Sequence, residues 1–137
     1  LTGNDDAIVA DLVTPYRGNG RTLRVSGGLL GQWAVGTKAA VELRRRATGP
    51  VDADVLATGA DLVEVNAAVF DVAHGFAGCV AGVNEVLRQQ GLLGSSRCLG
   101  AEQLSPGQAE LIERARDRFP DLFDEKFVRE HRDDWLD

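Results

Sequence analysis

The sequence predicts an α/β protein dominated by helices, with two strand-and-helix units over residues 1–48 and a helical region over residues 49–137. Three observations predict it. Leu1-Thr2-Gly3-Asn4-Asp5-Asp6 reads as a strand end, a glycine turn and a helix start. Thr22 to Ser26 alternates as a short strand and leads through Gly27-Gly28 into a second apolar helix. After Thr48-Gly49-Pro50-Val51 the β signals stop and only helical periodicity remains.

Each element has a local reason. Gly3 permits the turn, Asn4 is a good N-cap, and Asp5 and Asp6 fall where carboxylates suit the positive end of a helix dipole. Ala7, Ile8, Val9 and Leu12 then supply an apolar face, and Thr14-Pro15-Tyr16 ends the helix. Arg17-Gly18-Asn19-Gly20 is a turn. From Leu29 to Ala47 apolar residues recur at helical spacing, with Gly31 and Gly36 as weak points. Asp52 caps a short helix through Ala57, Gly59 interrupts, and Ala60 to Ala73 is apolar on most faces, as in a buried helix.

His74-Gly75 bends the chain, and the small residues Gly78, Cys79, Ala81 and Gly82 suit close backbone packing. The helix continues from Val83 to Gln90, where Gly91 is a natural stop. Ser105-Pro106-Gly107-Gln108 reads as an N-cap, a proline at the first helical position and a capping-box glutamine. That helix runs to Arg118 with Leu111, Ile112 and Ala115 inward, and Phe119-Pro120 stops it. Asp124 caps a last helix with Phe127, Val128, His131 and Trp135 on one side.

Composition narrows the function. Fifteen basic residues against twenty-one acidic ones give a net charge of −6. No long basic stripe exists, and Arg44-Arg45-Arg46 suits the last turn of a helix, which argues against nucleic-acid binding. No window is long and apolar enough to span a membrane. Cys79 and Cys98 lack metal-like spacing and suit thiols of a reducing cytoplasm, a disulfide between them being the alternative. No cofactor is expected: no His, Cys and carboxylate cluster has zinc spacing, and no glycine-rich loop follows a phosphate or dinucleotide pattern. His74 reads as a hydrogen-bonded core residue or a helix-end cap, His131 as solvent-facing, and Asp133, Asp134 and Asp137 as a solvated acidic tail. The chain has no Met and its opening strand is cut short at Leu1, so it is expected to be the C-terminal part of a longer protein.

The element order is that of a barrel's end with a helical appendix. Leu1-Thr2-Gly3-Asn4-Asp5-Asp6-Ala7 resembles the seventh strand end of the dihydrodipicolinate synthase and N-acetylneuraminate lyase family. Val25-Ser26-Gly27-Gly28 resembles its eighth strand, and Gln32 to Arg46 the helix that follows. Val83 to Leu93 and Leu104-Ser105-Pro106 are similar to its C-terminal helices. Ala73 to Cys79 and Leu104 to Glu110 resemble an uncharacterised dihydrodipicolinate synthase-like branch.

The resemblance implies the last two units of a (β/α)8 barrel over residues 1–48 and the family's helical region over 49–137. It implies a class I aldolase, or carbon–carbon lyase, in which a Lys on the sixth strand forms a Schiff base with a 2-oxo acid such as pyruvate. A Tyr on an earlier strand shuttles the proton. Both positions precede Leu1. Such a Lys must be desolvated so that its free amine attacks a carbonyl, whereas Lys38 and Lys126 sit among polar residues and read as surface lysines. Tyr16 does not match the relay position, so no catalytic residue is expected in this chain.

What the resemblance assigns here is the substrate-binding side: Gly3, Asp5, Asp6 and Ser26 toward substrate hydroxyls, with Gly27 and Gly28 admitting the ligand to the backbone. Ser26 is followed by Gly-Gly where the family has bulkier residues. Family members are often tetramers, which makes a homo-oligomer an expectation. The alternative function is a stand-alone helical interaction module without enzymatic activity, motivated by the apolar Ala60–Ala73 helix and the small-residue segment Gly78–Gly82.

Overall fold

In the computed structural model, which describes residues 1–3 and 6–137, the chain is a helix-dominated α/β structure. Its helices are α1 (Ile8–Val13), α2 (Thr37–Arg46), α3 (Ala53–Val69), α4 (Cys79–Gln89), α5 (Gln108–Arg118) and α6 (Glu125–Leu136). Short 3-10 turns at Gly31–Ala34, Val72–His74 and Pro120–Phe123 link them. The strands β1 (Tyr16–Gly18) and β2 (Arg21–Leu23) form one antiparallel hairpin.

α3 is the central post. Its Leu62, Val65 and Val69 are buried together with Ile8 and Leu12 of α1, Val86 of α4 and Ile112 of α5. Asp52 caps it as expected, its Oδ1 accepting the Val55 N–H at 2.8 Å. Gly59 does not interrupt it: α3 is continuous, and a Cβ at Gly59 would stand 3.1 Å from Val9 Cβ. The glycine is there so that α1 can lie close, an advantage that outweighs its weak helix propensity. The contact also carries α1 onto α3 across the break at Thr48–Val51, so one core spans both regions.

The helix expected over Leu29–Ala47 is split. A 3-10 turn ends at Ala34 and α2 starts only at Thr37. At Gly36 the chain passes so close to Leu122 that a Cβ would overlap that residue's carbonyl oxygen, and tertiary packing overrides the helical pattern. The strand expected over Thr22–Ser26 is likewise shorter, Arg21–Leu23, and it pairs back on Tyr16–Gly18. Asn19 and Gly20 both have positive φ (50° and 71°), as a two-residue hairpin loop of this hand requires.

Two capping expectations change. The Ser105 hydroxyl leaves its own helix to donate to Asp71 Oδ2 at 2.5 Å, while Gln108 Oε1 accepts the Ser105 N–H at 3.1 Å, so half of the capping box forms and α5 starts at Gln108. Asp124 precedes α6 and its carbonyl accepts the Val128 N–H at 2.8 Å, but its side chain accepts no bond from that helix; the carboxylate caps α2 instead. Leu111 is exposed where an inward position was expected, while Ile112 and Ala115 are buried. No helix among the described residues is long and apolar enough to cross a membrane.

Candidate functional site

The residues assigned to substrate binding lie along two segments that run side by side. Thr2 and Gly28 form a parallel bridge: the Thr2 N–H donates to Gly27 O at 3.1 Å and the Leu29 N–H donates to Thr2 O at 2.8 Å. This places Gly3 beside Leu29, where a Cβ at Gly3 would be 3.6 Å from the Leu29 carbonyl oxygen. Gly27 lies beside Leu1, whose Cδ2 would be 3.1 Å from a Cβ there. Ser26 falls two residues short of the bridge, roughly 6–7 Å along the strand direction. It is exposed, and its carbonyl accepts from Arg44 Nε at 2.6 Å. Asp6 is exposed and lies in the turn before α1 rather than in its first helical turn. Asn4 and Asp5, the expected cap and carboxylate, lie outside the described residues.

Gly28 has a different use from the one expected. A Cβ there would stand 2.5 Å from Ile8 Cδ1, so the space serves the seating of α1 on the strand end rather than a ligand. Thr2 is held from the same helix. Its hydroxyl donates to Asp11 Oδ2, and Tyr16 OH donates to Asp11 Oδ1 at 2.6 Å. The Thr2 and then the Tyr16 hydroxyl hold the Asp11 carboxyl below the usual carboxylate range, and the same bond pushes the Tyr16 phenol up.

Neither lysine is a buried amine. Lys38 is exposed, with Nζ 5.0 Å above the Phe127 ring, and the Lys126 side chain is 79% exposed with Glu130 at 3.8 Å. Both stand by an open cleft of about 550 Å³ between α2, α3 and the α5–α6 connection, lined by charges of both signs and floored by Leu43, Phe119 and Leu122.

Asp71 is the chemistry-bearing residue that periodicity did not single out. It is buried, with left-handed backbone (φ 58°) at the end of α3. His74 Nδ1 lies 2.6 Å from its Oδ1; Ser105 Oγ donates to its Oδ2 at 2.5 Å, and the Gly78 N–H donates to the same oxygen at 3.0 Å. Burial pushes the Asp71 carboxyl up, but the Ser105, His74 and Gly78 bonds outweigh it and hold the group below the usual range. A serine, a histidine and an aspartate thus meet, but both others reach the aspartate. Nucleophilic catalysis needs the histidine between the other two, so this is a structural clasp. His74 is therefore hydrogen-bonded as expected but 42% exposed rather than in the core.

The remaining expected features resolve simply. His131 is half-buried, not solvent-facing: its ring is tilted against Phe127 with centroids 4.4 Å apart and stacked on Trp135 at 5.8 Å. Cys79 and Cys98 are not joined in a disulfide. The small-residue segment is used internally: a Cβ at Gly82 would overlap the Val69 carbonyl and one at Gly78 would overlap the Gln108 side chain. Among the described residues no group of three or more His, Cys, Asp or Glu is placed to hold a metal ion. Comparison with known proteins adds nothing to this geometry: no family model, curated protein or solved structure matches the chain.

Proposed function

We propose that this chain forms the last two strand–helix units and the C-terminal helices of a (β/α)8 barrel of the dihydrodipicolinate synthase and N-acetylneuraminate lyase type. In this reading the whole protein is a Schiff-base lyase or aldolase acting on a 2-oxo acid such as pyruvate, in a reducing cytoplasm where Cys79 and Cys98 stay thiols. The observation that carries the reading is the parallel Thr2–Gly28 bridge with α1 seated on it through Ile8. In a parallel α/β barrel, neighbouring strands run in the same direction, their following helices pack behind them, and the loops after the strands build the site.

The chain's part is recognition. Gly3, Asp5, Asp6, Ser26 and Gly27 form the wall toward the hydroxylated tail of the substrate, with carboxylates accepting hydrogen bonds from its hydroxyls. The covalent step belongs to a lysine elsewhere in the protein. Its neutral amine attacks the ketone carbon, and the carbinolamine loses water to give the iminium. Lys38 and Lys126 are exposed and so not suited to that task.

The test is borohydride reduction in the presence of pyruvate, read by intact mass and peptide mapping. The full-length protein is expected to retain a reduced adduct on a lysine outside this chain, and the 137-residue chain alone to stay unmodified. An adduct on Lys38 or Lys126, or none on the full-length protein, overturns the reading. Of the segments that motivate the interaction-module alternative, Leu62, Val65 and Val69 of α3 are buried and Gly78 and Gly82 are packed internally, while Val63 and Val72 are exposed.

A further inference from the structure

Thr2 and Asp11 close a loop. They stand nine residues apart, and the Thr2 hydroxyl donates to Asp11 Oδ2. Between them in sequence lie Gly3, Asp5 and Asp6, three residues of the proposed substrate wall. Each end of that segment is also fixed on its own. The Thr2 backbone is held on the neighbouring segment, its N–H donating to Gly27 O and its carbonyl accepting the Leu29 N–H. Asp11 is half-buried on α1, whose Ile8, Val9, Leu12 and Val13 are in the core.

α1 has six residues, too few to hold a helix in place by its own backbone bonds. Its position comes from what grips it. Ile8 seats it over Gly28, and Arg24 Nη1 donates to the Val13 carbonyl at 3.3 Å. From the β1–β2 hairpin, Tyr16 OH donates to Asp11 Oδ1 at 2.6 Å. Asp11 thus holds one hydroxyl on each oxygen, one from the strand end and one from the hairpin. An ionised carboxylate only accepts, so both protons point into it. The Tyr16 proton is committed there, and Tyr16 serves to anchor Asp11 rather than to move a proton.

The same bond fixes a direction. Thr2 turns its side chain toward α1. Successive strand residues face opposite ways, so Gly3 opens on the side away from that helix. In a (β/α)8 barrel the helices lie outside the strands, and the side away from them is the interior.

We infer that Asp11 is a positioning residue for the substrate wall: by gripping Thr2 from α1, with Tyr16 behind it, Asp11 sets where Gly3 and Asp6 stand toward the substrate's hydroxyls. The inference rests on the lyase reading and deepens it. A recognition site needs its polar groups held within about 0.5 Å of the productive geometry by such supporting bonds.

The test uses the full-length protein and the variants Thr2→Val, Thr2→Ser and Asp11→Ala. Thr2→Val keeps the shape and loses the hydroxyl, Thr2→Ser keeps the hydroxyl, and Asp11→Ala removes the acceptor. Condensation of pyruvate is followed with glyceraldehyde, which bears hydroxyls beside its aldehyde, and with propanal, which bears none. Thr2→Val and Asp11→Ala are expected to raise KM for glyceraldehyde about tenfold, the scale of one displaced charged hydrogen bond. Their KM for propanal and for pyruvate, and borohydride trapping of pyruvate, are expected to match the parent, and Thr2→Ser to match it throughout. The two Thr2 variants decide the matter even where Asp11→Ala fails to fold, since they probe the hydroxyl without touching α1. A loss shared equally by propanal shows a bond that only holds the fold together and overturns the role. So does a Thr2→Val variant that handles glyceraldehyde like the parent, or a Thr2→Ser variant that fails as Thr2→Val does. Absence of trapping on the unaltered protein overturns the lyase reading and this role together, whereas trapping without discrimination between the aldehydes overturns this role alone.

Discussion

The carboxylate of Asp124 accepts the backbone N–H of Lys38 at 2.6 Å across 86 residues of sequence, and its other oxygen accepts that of Ala39 at 2.9 Å. Asp124 stands where a residue would cap α6, yet it caps α2. Its left-handed backbone (φ 54°) turns the carboxylate away from its own helix. The first N–H groups of α2 have no partner from within that helix, so the α5–α6 connection completes it. Asp124→Ala is expected to destabilise the fold by about 1–2 kcal/mol in urea unfolding, and Asp124→Asn by less, since Asn caps well and tolerates the same backbone. Equal losses for the two would show that the carboxamide fails as a cap.

Gly82 and Gly94 make a matched pair. A Cβ at Gly82 would overlap the Val69 carbonyl and lie 2.6 Å from Gln108 Nε2, whereas nothing lies within 4 Å of one at Gly94. Gly82→Ala is expected to cost about 2–3 kcal/mol or more, because backbone must move to make room. Gly94→Ala should be neutral or stabilising by up to about 0.5–1 kcal/mol through the unfolded chain. Thermal melts of both decide it.

Gln108 is fully buried and fastens three segments: Nε2 donates to Val69 O at 3.2 Å and Gly78 O at 2.9 Å, while Oε1 accepts the Ser105 N–H. Gln108→Leu keeps the volume but takes the side-chain partner from Val69 O and the Ser105 N–H, while Gly78 O keeps the Gly82 N–H at 2.8 Å. A loss of about 2–4 kcal/mol is expected by denaturant unfolding. A near-neutral result would mean that water takes over the bonds.

Acid sensitivity follows from Asp71. Its carboxyl is held below the ordinary 3.8, so the unfolded chain binds this proton at higher pH than the folded one. The stability it contributes is complete above about pH 4 and is lost as pH falls through the lower folded value. Asp11 and Glu85 are shifted the same way, Glu85 by its Arg88 bond first. Asp71→Asn is expected to be less stable at pH 7 but to lose less between about pH 4 and 2 than the parent in acid titrations followed by circular dichroism. Parallel acid limbs would remove Asp71 as a source of the sensitivity.

On the proposed function, Asp6→Asn is expected to raise KM for a polyhydroxylated substrate about tenfold in the full-length protein, the scale of one charged hydrogen bond. Borohydride trapping of pyruvate should be unchanged, because Asp6 lies outside the covalent step. Loss of trapping would place Asp6 nearer the reacting carbon than the tail.

Much of the helical plan was legible because its signals are local. Pro50, Gly91 and Pro120 punctuate the chain, Asp52 caps α3, and the apolar periodicity of residues 60–69 and 108–115 marks buried faces. The hairpin was half legible: Asn19-Gly20 reads as a turn, but only the pairing shows that β2 folds back on β1. Of the candidate site, Gly3 and Gly27 were legible as adjoining backbone. The two-residue offset of Ser26 was not, since register is a relation between strands.

The sequence by itself determined which stretches are helical, where Pro15, Gly91 and Pro120 stop them and where the charges lie, because those depend on neighbours within a turn or two. Only the tertiary structure decided what the glycines are for and which polar groups go inside. Gly28, Gly36, Gly59 and Gly82 look alike in sequence, yet each admits a different distant partner: Ile8, Leu122, Val9 and Val69. Asp71, Gln108 and Asp124 look like ordinary surface or capping residues, and long-range packing turns each into a fastening point. A buried polar group must find its partner wherever the fold brings one, and sequence distance carries no information about that place.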